Sequence, residues 1–461
     1  MAYVRQRVNG SAVIRSVRIV RRLIQQARRE PQTVRGKGRV RGPRHGVLVR
    51  YATSIFGGML LAALVPMWVS ADMLVTIDKT DLKRKFLLQI SYEQAMGWQD
   101  FMNSRSRVVL FERHKRTLRM VEAPRDSAAS SRELATFPIL EETDHSFIVD
   151  FNAGLNKISG EEDRTGEDYY GRESLPNNSF FRLLQRKMLS VTRNGSMLVL
   201  EQEGLTQDNE RVLVYYYLSP YRPDPDFKRF EIKNLDRFGF YETYPERQGN
   251  RTVLYAMKFG NPIVFALSSE IPEPYRQAVR EGVLYWNKAL GSPMLHVIDA
   301  PAGVFAPNPE YNVIQWVPDG AYASTAHIQG DPLTGEILHA QIFLRSGTTS
   351  EGGLDEQRNH LRYVVAHEVG HALGLRHNFA EGPASTVMNY FDYHVTVRIG
   401  REVVLSGDHA LEYDRQVIRH VYLGEPLDLH TLPAFCTDSQ PGCSPFRSRI
   451  RLGSSDAPKP E

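Results

Sequence analysis

One stretch constrains this chain more than any other: His367-Glu368-Val369-Gly370-His371-Ala372-Leu373-Gly374-Leu375-Arg376-His377, which reads HExxHxxGxxH. His367 and His371 are four residues apart, so on a helix they lie one turn apart on one face, where two imidazoles hold one Zn2+. Glu368 projects beside them, where a carboxylate takes a proton from water on the metal. Gly374 marks the place for the helix to stop, because glycine enters the left-handed conformation without a Cβ penalty. The chain then turns and returns His377 as a third ligand. Three protein ligands leave the fourth zinc position open, as catalytic sites do and structural sites do not. Leu361, Val364, Val365, Ala372, Leu373 and Leu375 form an apolar stripe, which predicts a buried helix. Burying two histidines and a glutamate is costly, and a metal removes that cost.

These residues resemble the metzincin clan of zinc peptidases, whose second mark is a methionine turn beneath the metal. Ser385-Thr386-Val387-Met388-Asn389-Tyr390 looks like that turn, with Met388 as its methionine. The Met-x-Tyr spacing is similar to that of astacins and serralysins, where the tyrosine binds zinc and then swings away to stabilise the oxyanion. The resemblance gives Tyr390 this role, with a core tyrosine as the alternative and Tyr393 as a second candidate. Asn378 follows the third histidine, where the best-known subfamilies place other residues. Closer in texture are the secreted bacterial zinc-dependent metalloproteases with a Met-zincin domain. That similarity runs from about Pro262 to Leu423, through Pro274-Tyr275-Arg276, residues 283–289 and residues 331–337. It implies an α+β fold: a metzincin-like catalytic domain, with a twisted sheet, a zinc-site helix and a C-terminal helix, preceded by a β-rich domain.

The formal net charge of +4 is a poor guide to partners, because residues 1–50 hold 14 Lys and Arg against the single acid Glu30. The remaining 43 basic and 52 acidic residues leave the rest of the chain at −9, so the basic balance does not point to nucleic acid. Residues 51–71 carry no charge, and Val69-Ser70-Ala71 places small residues before Asp72. This reads as a signal peptide cleaved after Ala71, with an uncleaved anchor in an inner membrane as the alternative. Either way the zinc domain lies outside the cytoplasm, periplasmic or extracellular, since the arginines stay inside. The basic leader is long for a signal peptide, which suggests translation from near Val47 or Val49; a solvated arm is the other reading.

Residues 72–255 form the β-rich region, an accessory or pro-domain, with apolar or alternating runs at 73–77, 86–90, 108–111, 118–121, 147–151, 197–201 and 212–218. Asn194-Gly195 signals a hairpin, the polar stretches 123–132 and 159–178 read as loops, and 219–226 reads as a linker. His114 and His145 are isolated. Residues 256–430 make up the catalytic domain, with strands at 263–267, 294–298, 313–317, 326–329 and 337–344 and a helix at 274–290. Metzincins bind substrate backbone along an edge strand just before the zinc helix, and one of the last two strands suits that task. His327 and His339 are each poor ligands alone. Asp408 is placed to cap a last helix through about Tyr422. In the tail, 431–461, Cys436 and Cys443 are expected to form a disulfide in an exported protein, with two free thiols as the alternative. No cysteine precedes Cys436, so latency through a cysteine switch is excluded.

Together these readings imply an exported zinc-dependent metalloendopeptidase acting on a peptide or protein substrate. It would use one catalytic Zn2+ on His367, His371 and His377, with Glu368 and Tyr390 as catalytic groups. Two other readings share these residues: a non-catalytic zinc-containing envelope binding protein, and a zinc amidase acting on a non-protein envelope polymer. N-terminal sequencing of the exported protein should read from Asp72, and retention of residues 51–71 would establish the anchor instead.

Overall fold

The structure, a computed structural model, describes residues 74–94, 101–123, 132–155 and 184–437 together with residues 440 and 443. Short gaps fall at 206–208, 210, 234–237, 244–245, 261, 319–323, 350, 381–384, 391 and 406–409. The basic leader, the 51–71 segment with its cleavage site, most of 123–132, all of 159–178, Asp408 and the last dozen residues lie outside the described residues. Residues 69–461 form one compact unit. Among the described residues no helix is long and apolar enough to cross a membrane.

The first sheet has nine strands: β1 (Leu74–Asp78), β2 (Phe86–Gln94), β3 (Phe101–His114), β4 (Thr117–Glu122), β5 (Glu133–Glu142), β6 (Ser146–Asp150), β7 (Leu184–Asn194), β8 (Met197–Leu205) and β9 (Arg211–Pro220). Their order is β1-β6-β5-β4-β3-β2-β9-β8-β7, and neighbours run antiparallel. Alternate residues of β8 are buried, which is the period-two pattern of a sheet with one covered face. A short helix, α1 (Phe151–Leu155), follows β6, and Phe151 stacks on Phe137 of β5 at 4.2 Å between ring centroids. The Asn194-Gly195 hairpin forms with Gly195 at φ +58°, although Asn194 closes β7 and the turn itself is Gly195-Ser196. β5 escapes the hydrophobic pattern because Pro138 and four glutamates or threonines interrupt its alternation. Pro220 ends β9, so the irregular connection begins two residues later than the proline content suggests.

A small hairpin, β10 (Glu246–Gln248) with β11 (Arg251–Val253), leads into a second sheet. Its strands are β12 (Lys258–Phe259), β13 (Ile263–Leu267), β14 (Leu295–Asp299), β15 (Asn312–Val317), β16 (Thr325–Gly330) and β17 (Glu336–Arg345). The order is β12-β17-β15-β13-β14, all parallel, with β16 antiparallel to β17. Among the described residues four α-helices complete this part: α2 (Glu273–Leu290), α3 (Leu354–Ala372), α4 (Tyr393–Ile399) and α5 (Glu412–Leu423). α2 begins at Glu273 with Pro274 in its first turn, one residue before the expected start, and stops at Gly291 in the left-handed conformation, φ 67°. α5 starts at Glu412 with Leu411 as N-cap and no side-chain cap, several residues after Asp408.

The second core draws on both sheet and helices, and on Ile232, Phe238, Phe240 and Tyr241, which precede residue 256. α3 lies at its centre. The apolar stripe predicts a buried helix, and every residue from Val365 to Leu375 is buried. α2 crosses α3 closely because Gly282 has no side chain: a Cβ there would lie 2.7 Å from Val365 Cβ and 2.8 Å from the Arg362 carbonyl oxygen. The crossing also brings the indole of Trp286 onto α3, where its N–H donates to the Ala366 carbonyl at 2.8 Å.

Of the two strands expected to offer an edge, β17 is interior and β16 is the edge. One side chain of β16 meets the first sheet: Gln329 donates through Nε2 to the Ile90 carbonyl of β2 at 3.3 Å, and Gln89 donates to Gln329 Oε1 at 3.3 Å. Residues 328–330 are buried there, while 325–327 are only partly covered. Gly282→Val should lower the free energy of unfolding by about 1–3 kcal/mol through overpacking of the α2–α3 crossing, read as a shift in urea midpoint. An unchanged midpoint would contradict the close crossing.

Candidate metal centre

His367, His371 and the last turn of α3 are fixed by the helix, and the fixed end of that helix determines where His377 returns. Gly374 adopts φ +100°, and a Cβ on it would lie 2.2 Å from the Met257 carbonyl oxygen, so both conformation and space require glycine. The Leu375 N–H closes back on the Gly370 carbonyl at 3.0 Å, a hydrogen bond that ends the helix in a tight reversal. A neighbouring segment locks the turn: Tyr241 N–H donates to the Gly374 carbonyl at 2.7 Å, and Phe240 bridges Leu375. Arg376 adds its guanidinium to the Phe240 carbonyl at 3.2 Å and to Glu242 at 2.6 Å.

The three imidazoles converge. Nε2 of His371 is 3.1 Å from Nε2 of His367 and 3.1 Å from Nε2 of His377, and the third side of the triangle is 3.3 Å. All three rings are buried, with His377 at 0% exposure. Among the described residues this is the one cluster of His, Cys, Asp or Glu side chains able to hold a metal. The tautomers follow from the partners on the far side. His367 Nδ1 faces the Val387 carbonyl at 2.7 Å and His371 Nδ1 faces the Leu375 carbonyl at 2.9 Å. A carbonyl oxygen only accepts, so Nδ1 carries the proton and Nε2 presents a lone pair inward. Three imidazole nitrogens converging that closely in a buried site suit a cation. A tetrahedral zinc with nitrogen ligands at about 2.0–2.1 Å would space them about 3.3–3.4 Å apart, so the donor set fits zinc in both type and spacing.

Beneath the ligands lies the 385–390 turn. Met388 is fully buried, and its sulfur presses on α3 at Gly370, where a Cβ would come within 2.2 Å of Sδ. The glycine between His367 and His371 therefore makes room for the methionine. The turn is hung on Asp414 of α5. One oxygen of Asp414 accepts the Thr386 hydroxyl at 2.6 Å; the other accepts the Val387 N–H at 2.9 Å and the Tyr285 hydroxyl at 2.8 Å. Burial pushes this carboxyl up to about 6, against the three hydrogen bonds that pull it down. Since Val387 also accepts His367 Nδ1–H, Asp414 holds the residue that orients a ligand. Tyr363 of α3 secures the other end of the turn, donating to the Asn389 carbonyl at 2.5 Å.

Glu368 is buried at 6% exposure in the same helical turn as His367. Tyr390 is 39% exposed, which rules against a core tyrosine, and its ring centroid lies 4.4 Å from that of His377 and 5.4 Å from that of His367. Tyr393 instead starts α4 and donates to the Glu351 carbonyl at 2.8 Å. His327 and His339 lie on the β16–β17 hairpin, and burial pushes each down to about 4, so both are neutral near pH 7. Cys436 and Cys443 are joined in a disulfide.

The sequence reading did not single out Asp414, Tyr285, Gly370 or Tyr241, whose hydroxyl lies 3.3 Å from His371 Nδ1. Asp414 alone left a signal: it sits on the buried face of α5 with Val417, Ile418 and Val421, an acid where apolar residues belong.

Residues 354–423 match a family model described as Met-zincin, which with the three-histidine cluster bears out the metzincin resemblance for this segment. No curated protein matches the chain. Among solved structures, the siderocalin Ex-FABP, described as functioning through dual ligand specificities, is similar at a TM-score of 0.15 and 8% identity. That alignment covers 31% of this chain and 76% of the other, and a likeness of that size carries no argument.

Asp414→Ala should destabilise the metal-free protein by about 3–5 kcal/mol, because three buried donors lose their acceptor. It should also weaken zinc binding about 10–100-fold through the Met388 turn. A wild-type urea midpoint in this variant would show that Asp414 does not hold the turn.

Proposed function

We propose that this chain is an exported zinc-dependent metalloendopeptidase. A zinc metalloprotease-type function already follows from the Met-zincin match and the histidine cluster; the mechanism, the substrate and the location are the proposal. The observation that carries it is the triangle of inward-facing Nε2 atoms at 3.1–3.3 Å with a buried glutamate in the next position of the helix. Zn2+ bound by His367, His371 and His377 would supply a Lewis acid that polarises a peptide carbonyl and lowers the pKa of water.

The chain's own residues supply the rest. Glu368 takes a proton from the attacking water as the oxygen–carbon bond forms, and returns it to the amide nitrogen as the carbon–nitrogen bond breaks. Burial keeps this carboxylate out of bulk solvent, where its exchange with other proton sources would be faster. Tyr390, at the rim beside His367 and His377, donates its hydroxyl to the oxyanion. The β16 edge supports a peptide substrate, since an antiparallel edge strand beside α3 offers backbone N–H and C=O groups to an extended chain. Residues 325–327 are the stretch for it, since 328–330 are buried. The disulfide fits an oxidising compartment, in keeping with an export segment at 51–71.

Glu368→Gln should lower peptidase kcat by about 10²–10⁴-fold while zinc content stays at wild-type level. Peptidase assays and elemental analysis on one preparation read both quantities. Undiminished cleavage by this variant would remove Glu368 from the mechanism. Zinc without cleavage of any peptide, in wild type, would favour the binding protein or the amidase.

A further inference from the structure

Two ligands ride on α3, but His377 lies beyond it, three residues past a left-handed glycine, so loop backbone alone sets its position. Both of its neighbours are held by distant parts of the chain. Arg376 donates its N–H to the Gly239 carbonyl at 3.3 Å. Asn378, at 0% exposure, engages its backbone N–H and both polar groups of its side chain. Its N–H donates to the Met388 carbonyl at 2.7 Å, and its Oδ1 accepts the N–H groups of Ala380 and Cys436 at 3.1 Å each. Its Nδ2 donates to the Ala434 carbonyl at 3.0 Å, and the next residue, Phe379, donates its N–H to the Cys436 carbonyl at 2.7 Å.

The far side of this junction is equally fixed. Phe435 stacks on Tyr413 with 3° between ring planes, and rests on Gly239, where a Cβ would come within 2.4 Å of the ring. The Gly239 N–H donates to the Tyr413 hydroxyl at 3.2 Å. Cys436 then closes a loop to Cys443 through the disulfide. This junction suits asparagine alone among similar side chains. The side chain must accept from two backbone N–H groups and donate to one carbonyl; aspartate cannot donate and alanine can do neither.

We infer that Asn378 and the disulfide-closed segment beginning at 434 are a positioning clasp for the third metal ligand, so that metal retention depends on the Cys436–Cys443 bond. This rests on reading the three histidines as a zinc site. Without the clasp, the 376–380 loop regains conformational freedom that metal binding must then remove, which weakens the third ligand selectively.

The test uses the full exported protein and the variants Asn378→Ala, Asn378→Asp and the double change Cys436→Ser with Cys443→Ser. Three quantities are measured: the rate of zinc transfer to excess chelator, the visible spectrum of the cobalt-substituted protein, and the melting of the metal-free protein. The alanine and double-serine variants should release zinc at least about tenfold faster than wild type and shift the cobalt bands, with aspartate between. Asn378→Asp, which keeps the acceptor, serves if the alanine variant does not fold. Release rates and cobalt spectra equal to wild type would overturn the clasp, including where only melting falls, since that outcome marks a merely structural contact. Wild-type protein that takes up no zinc would overturn the underlying zinc reading, a separate failure.

Discussion

Three imidazole Nε2 atoms held within 3.1–3.3 Å of one another in a buried site are the constraint on which the rest of this structure depends. Nitrogen atoms held that close are costly to desolvate without a cation between them. A divalent cation removes that cost. The backbone carbonyls of Val387 and Leu375 prepare for it by taking the Nδ1 protons of His367 and His371, which leaves Nε2 free to ligate.

Holding the rings in place takes contributions from parts of the chain far apart in sequence. α2 supplies Trp286 and Tyr285, the 238–243 segment closes the Gly374 turn, and α5 hangs the Met388 turn from Asp414. Gly282 and Gly370 matter because they lack a side chain: one admits the crossing of two helices and the other admits a sulfur. The ligand geometry is therefore a property of the folded second core rather than of the motif alone, and metal affinity and folding stability are coupled.

The motif was legible because its chemistry is local. Helical spacing pairs His367 with His371, and a glycine that must take φ +100° announces where the helix ends. Strands such as β13 and the helix α2 also follow from period and capping, because their patterns agree with their surroundings. Legibility stops where tertiary contacts decide. Nothing within α5 says that its buried acid meets the Thr386 hydroxyl, and nothing near Asn378 says that Ala434 and Cys436 will be its partners. The burial of α3 from Val365 onward agrees with its apolar stripe, while the partners that bury it are set by tertiary contacts. β5 was hidden by Pro138 and its charged residues, which the sheet tolerates through a register shift to β6.

X-ray absorption at the zinc edge tests the central claim most directly. The protein as purified should show one zinc per chain, with three imidazole nitrogens at about 2.0–2.1 Å and a light-atom fourth ligand. A spectrum with sulfur ligands, with fewer than three imidazoles, or with no zinc at all would contradict it.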